Sequence, residues 1–109
     1  LLIAVAGTGF ADLSARFNAV PDGEPGERVG AACESYVDFA RGSPALFELM
    51  FRSDMAVLGE GVFEQFRHMV RGLPASDLVA ASLWAALRGL ALLPDADAVL
   101  AVTLEAYVR

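Results

Sequence analysis

The chain has 109 residues, with 8 basic side chains, all of them Arg, against 14 acidic ones, for a formal net charge of −6. Hydrophobic residues make up 56% with 10 Gly besides, above the roughly 45–50% usual for globular chains, which excludes disorder, and the length fits one domain. The acidic balance excludes a grip on a phosphate backbone, which needs clustered cations, so this segment alone is expected to bind DNA negligibly.

A domain this small leaves much of its surface exposed. With so much apolar material, some of that surface is expected to need a partner, and oligomerisation follows from composition alone. The one cysteine, Cys33, permits no internal disulfide and argues against a Cys-based zinc site. The longest nearly apolar run, 78–93, contains Arg88 and falls short of the about 20 residues a membrane-spanning helix needs. A soluble, cytoplasmic chain without a membrane partner is expected. It starts at Leu1 rather than Met, as a processed product, a fragment or the ordered part of a longer chain would.

Helical periodicity dominates from the start. Leu2, Ile3, Ala6, Phe10, Leu13, Phe17 and Val20 recur at three- and four-residue steps, with Asp12 and Arg16 opposite at a favourable i,i+4 spacing. Gly7 and Gly9 weaken this helix and mark close packing or a bend. Residues 21–26, Pro-Asp-Gly-Glu-Pro-Gly, read as a loop. A second helix spans about 27–41, burying Val29, Ala32, Cys33, Tyr36, Val37 and Ala40. Ser43-Pro44 reads as an N-cap followed by proline at the first helical position of a short helix, 44–52.

The segment 54–72 is amphipathic, with Met55, Leu58, Val62, Phe66 and Met69 as its buried stripe and Glu60, Glu64, Arg67, His68 and Arg71 on the wet side. Ser76 is expected to cap a helix running to about 93, where Pro94 breaks it. Asp95 is expected to cap a last helix to about 108. In 78–93 only Ser82 and Arg88 are strongly polar, and in 98–108 only Thr103 and Glu105. Helices apolar on nearly all sides must be covered on nearly all sides, and a second copy is the natural cover. The interface residues expected are Leu83, Leu87, Leu90, Val99, Val102 and Ala106. The architecture is an all-α, six-helix bundle.

Catalytic signals are absent. Phosphate loops, paired acids with a base and nucleotide fingerprints are missing, and helix capping explains Ser43. Glu64 and His68 are four apart, but His68 is the only histidine and lies among charged neighbours, so a solvated pair is the reading and no metal or cofactor is expected. Cys33 reads as a packed thiol. Bulky aromatics on several helices can form a core or line an apolar cavity. If a cavity, the walls expected are Phe17, Tyr36, Phe47, Phe51, Phe66 and Trp84. Arg88 either pairs with an acid such as Asp38 or Glu105, snorkels to water, or meets a polar or anionic ligand.

The stretch from Tyr36 to Phe51, Tyr-Val-Asp-Phe-Ala-Arg-Gly-Ser-Pro-Ala-Leu-Phe-Glu-Leu-Met-Phe, resembles the effector-binding domain of TetR-type transcriptional regulators. Trp84-Ala-Ala-Leu-Arg-Gly-Leu-Ala-Leu-Leu93 resembles the subclass named for its Trp, His and Gly, and Ala6 to Leu13 is similar to its first C-terminal helix. Arg88 stands where that subclass usually has His. The resemblance implies an upstream helix-turn-helix domain that contacts operator DNA, a homodimer built from the last two helices, and a small apolar or amphipathic effector that lowers operator affinity from within the helical core. The alternative is a stand-alone helical dimerisation or ligand-carrier module without a DNA role.

Overall fold

The computed structural model describes residues 1–108, and among these it contains helices and turns but no strand. Its α-helices are α1 (Leu2–Asn18), α2 (Pro25–Gly42), α3 (Pro44–Met50), α4 (Glu60–Met69), α5 (Ser76–Leu90) and α6 (Ala96–Tyr107), with a 3-10 helix at Ser53–Gly59 between α3 and α4. The all-α, six-helix reading holds.

Helix α2 is the axis of the bundle and packs against α1, α3, α4, α5 and α6. That position explains why its burial is wider than the stripe read from sequence. Val29, Ala32, Cys33, Tyr36, Val37 and Ala40 are buried, but so are Phe39 and Arg28 on its flanks. Phe39 lies under the Arg16 guanidinium, whose carbon sits 5.5 Å from the ring centroid. Arg16 also makes the expected pair with Asp12, at 3.1 Å.

Helix α1 buries Ala6, Phe10, Leu13 and Phe17, whereas Leu2 and Ile3, counted with that stripe from sequence, are exposed in its first turn. Two devices fix α1 on its neighbours. A Cβ on Gly9 would overlap the Met50 sulfur and sit 3.1 Å from Leu46 Cγ, so the missing side chain lets α3 approach. Toward α4, the Ser14 hydroxyl donates to Gln65 Oε1 (2.7 Å), and Gln65 Nε2 donates to the Ser14 carbonyl (3.1 Å) and to Asn18 Oδ1 (2.8 Å).

The single helix expected over 54–72 is in fact two elements. Met55 and Val62 are buried as expected, but Leu58 is exposed. The reason is local packing. A Cβ on Gly59 would lie 3.0 Å from the Phe10 ring, so the chain presses its bare backbone onto α1 there, and α-winding starts afresh at Glu60. Tighter winding before that point aligns residues three apart, which puts Ser53, Ala56 and Gly59 on one line.

Caps differ from expectation as well. Ser43 and Asp95 occupy the N-cap positions of α3 and α6, yet neither side chain makes a capping hydrogen bond. Ser76 is the first residue of α5 rather than its cap; that place falls to Ala75, in the left-handed region at φ 52°.

Arg28, unremarked in the sequence, is the one buried charged residue among those described, only 8% exposed. Its Nε donates to the Met69 carbonyl (2.8 Å), Nη2 to the Arg71 carbonyl (2.5 Å) and Nη1 to the Gly23 carbonyl (3.0 Å), with Asp22 Oδ1 3.2 Å from Nη1. The guanidinium thus closes the C-terminal end of α4, where carbonyls lack helical partners and the dipole is negative, and ties it to the α1–α2 loop.

Candidate functional site

A half-open hollow of about 530 Å³ lies between α1, α3, the 3-10 helix, α4 and α5. Such a volume falls in the roughly 300–1,000 Å³ range of small-molecule sites. Its aromatic walls are Phe10, Phe51, Phe63 and Trp84, with Met50 beside them. Space exists because the facing positions are small: Ser53, Ala56 and Gly59 on the 3-10 helix, Ala81 and Ala85 on α5. The charged rim consists of Arg52, Glu60 and Arg88.

Trp84, half-buried, is the hub of the aromatic layer. Its ring lies 5.2 Å from Phe66, 5.3 Å from Tyr36, 5.5 Å from Phe63, 6.3 Å from Phe51 and 6.5 Å from Phe17. Of the seven residues proposed from sequence, Phe51, Trp84 and Arg88 border this hollow. Phe17, Tyr36, Phe47 and Phe66 form the fully buried layer behind the wall. Phe47 also reaches a second hollow of about 390 Å³, bordered further by Glu48, Phe51, Ala85, Arg88, Gly89 and Leu92. Sequence reasoning did not place Phe10, Met50 and Phe63 at the site. The available signal was the run of small residues at 53, 56 and 59, which only a three-residue winding brings into line.

The two rim arginines are held differently. Arg52 makes a two-pronged pair with Asp54, Nε to Oδ1 at 3.1 Å and Nη2 to Oδ2 at 2.7 Å. Arg88 donates from Nη2 to the Phe51 carbonyl at 2.8 Å and lies over the Phe51 ring, 5.5 Å from its centroid. Neither of the acids considered from sequence is a partner of Arg88 in these contacts. Asp97 takes the Arg41 guanidinium. Glu64 pairs with Arg67 at 2.9 Å, where the sequence suggested His68. Among the described residues no cluster of His, Cys, Asp or Glu is arranged to hold a metal.

Two buried side chains of α2, Cys33 and Tyr36, hold their protons more tightly than usual. Burial, and secondarily the charge of Glu34, pushes the Cys33 thiol from about 9.0 up to about 12. Burial likewise raises Tyr36, while the positive charge of Arg88 opposes the rise. The folded state holds the Cys33 proton until about pH 12, whereas the unfolded chain releases it near 9.0. The thiol's contribution to stability is therefore complete below pH 9 and lost as pH rises towards 12. A Cys33→Ala variant is expected to lose stability less steeply over that window in denaturant titrations. An aromatic disulfide reagent at pH 8 is expected to label Cys33 only as fast as the protein unfolds.

The dimer face read from sequence divides in two. Leu83, Leu87 and Leu90 point into the chain's own core, so a partner cannot reach them. Val99 is half-buried, and Val102 and Ala106 are exposed. Apolar residues turned outward on α5 and just after it are Leu78, Leu92 and Leu93. Among the described residues, no helix is long and apolar enough to cross a membrane.

Comparison with known proteins returns no matching curated protein and no matching solved structure. A family does match, described as the tetracyclin repressor-like C-terminal domain, and its match covers residues 29–106, from the second turn of α2 to the last turn of α6. With well over half the sequence matched and the same all-helical architecture in place, the chain belongs to the tetracyclin repressor-like C-terminal domain family, a family of regulatory domains.

Proposed function

We propose that this chain is the small-molecule-sensing and dimerising domain of a cytoplasmic TetR-type repressor, acting on operator DNA through a separate helix-turn-helix domain. The observation that carries the reading is the hollow beside Trp84. Its walls are aromatic and its counter-walls are alanine, glycine and serine, with Arg88 at the rim. An apolar or amphipathic effector entering it would press on the 3-10 helix and α1 together, because Phe10 and Gly59 abut each other at its wall. Movement of α1 relative to the rest is the route by which occupancy would alter the spacing of DNA-binding heads and release the operator. Trp84 is the sole tryptophan. Its emission is expected to shift as an effector titrates in, and the same compound should release operator DNA from the protein carrying the helix-turn-helix domain. Compounds that shift Trp84 but leave operator binding unchanged would sink the repressor reading.

The dimer is assigned to the outward faces of α5 and α6. Leu78 and Val102 are 74% and 71% exposed, and Leu92 and Leu93 extend the apolar surface. A stable interface there would bury on the order of 2,000 Å² or more in total. Sedimentation is expected to give a dimer at micromolar concentration. The double variant Leu78→Glu with Val102→Glu should become monomeric while remaining helical, since neither side chain belongs to the core. A wild-type monomer at that concentration removes the idea.

A further inference from the structure

Phe51 stands between two hollows. On one side it walls the larger one with Phe63 and Trp84; on the other it walls the smaller one with Phe47 and Leu92. Ala85 and Arg88 border both. Phe51 is half-buried and is held by ring contacts, from 4.8 Å to Phe47 out to 6.3 Å to Trp84, and by the guanidinium above it. Behind the ring lies Tyr36, fully buried among Phe47, Phe51 and Trp84, with a hydroxyl that has no hydrogen-bond partner among the described residues. An unmet buried polar group is costly, and in native structures such groups call for a reason.

We propose that Phe51 is a movable partition and that the effector is an apolar monocarboxylate. Its tail lies in the larger hollow, the Phe51 ring swings into the smaller one, and the carboxylate settles between the Arg88 guanidinium and the Tyr36 hydroxyl. This rests on the larger hollow being the effector site. Arg88 and Tyr36 both offer donors, and the planar guanidinium suits a carboxylate in particular. Arg52 is already occupied by Asp54, which leaves Arg88 as the rim cation whose present partners are a carbonyl and a ring face. The smaller hollow supplies the room a displaced phenyl ring needs. Glu60 at the rim of the larger hollow and Glu48 at that of the smaller disfavour a second negative charge on the ligand.

The test uses the full chain, with straight-chain carboxylates from hexanoate to dodecanoate, naphthoate, and the alcohols of matching skeleton. Binding is followed by Trp84 emission and calorimetry. The best carboxylate is expected to bind at least about tenfold more tightly than its alcohol, and Arg88→Gln and Tyr36→Phe should each weaken it by about tenfold while weakening the alcohol, a neutral acceptor, much less. Phe51→Ala should speed carboxylate association, because no ring has to move. Tyr36→Phe is nearly isosteric and should raise the melting temperature of the free protein. If alcohols bind as tightly as carboxylates and neither variant discriminates, the carboxylate assignment is overturned while the effector site stands. If no probe of either kind binds, both fall.

Discussion

Replacing Arg28 by Ala is expected to cost the domain about 3 kcal/mol or more. The change strands the buried Met69 carbonyl and removes the part-buried contacts to the Arg71 and Gly23 carbonyls, and an unmet buried acceptor costs about 1–3 kcal/mol while each lost bond to a charged donor adds to it. Arg28→Lys should recover little, because one ammonium cannot span three carbonyls in the fixed geometry of a guanidinium fork. Asp22→Ala provides the contrast. Asp22 is 82% exposed although it lies beside both Arg28 and Arg71, so its loss should cost under about 1 kcal/mol. Urea denaturation at one fixed protein concentration checks all three, the concentration being held because association itself stabilises. Equal losses for Arg28→Ala and Asp22→Ala would show that the ion pair, rather than the carbonyl contacts, is what matters.

The second large effect separates the core from the wall. Phe66 has no exposed surface and packs on both Phe17, at 5.8 Å, and Trp84, at 5.2 Å. Phe66→Ala should therefore cost about 3–5 kcal/mol, the transfer energy of the ring plus the cavity left behind. Phe51→Ala should cost about 1–2 kcal/mol, because a half-buried ring forfeits only part of its transfer energy. Thermal unfolding of the two variants, with ligand binding measured on each, checks the difference. Equal destabilisation would mean that Phe51 is core and that no partition exists.

Periodicity made the helices legible because each main helix buries a face at three- and four-residue steps. The same property hid the break at Gly59. Met55, Leu58 and Val62 fit a continuous α-helix as well as they fit a 3-10 turn followed by a new helix, and what decides is the Phe10 ring on another element. Arg28 was illegible for a related reason. On paper it is one charge near the start of a helix, and only the tertiary fold brings α4's last carbonyls to it. The aromatics were recognisable as a group, but which of them face empty space depends on the alanines and glycine opposite, and those carry no periodic signal. The last two helices, apolar all round, gave no means of choosing the inward Leu83, Leu87 and Leu90 from the outward Leu78 and Val102.

The composition of the larger hollow has a consequence for how ligand preference changes with time. Ala56, Ala81 and Ala85 are exposed and contribute little to the core, yet each borders the space a ligand would fill. Enlarging one of them to Val, Leu or Phe would reshape that space from a solvent-facing side and leave Phe17, Tyr36, Phe47 and Phe66 packed as they are. Chemical preference in this bundle is thus separable from foldability. A lineage could change which ligand fits through single substitutions at these three exposed positions without altering that buried layer.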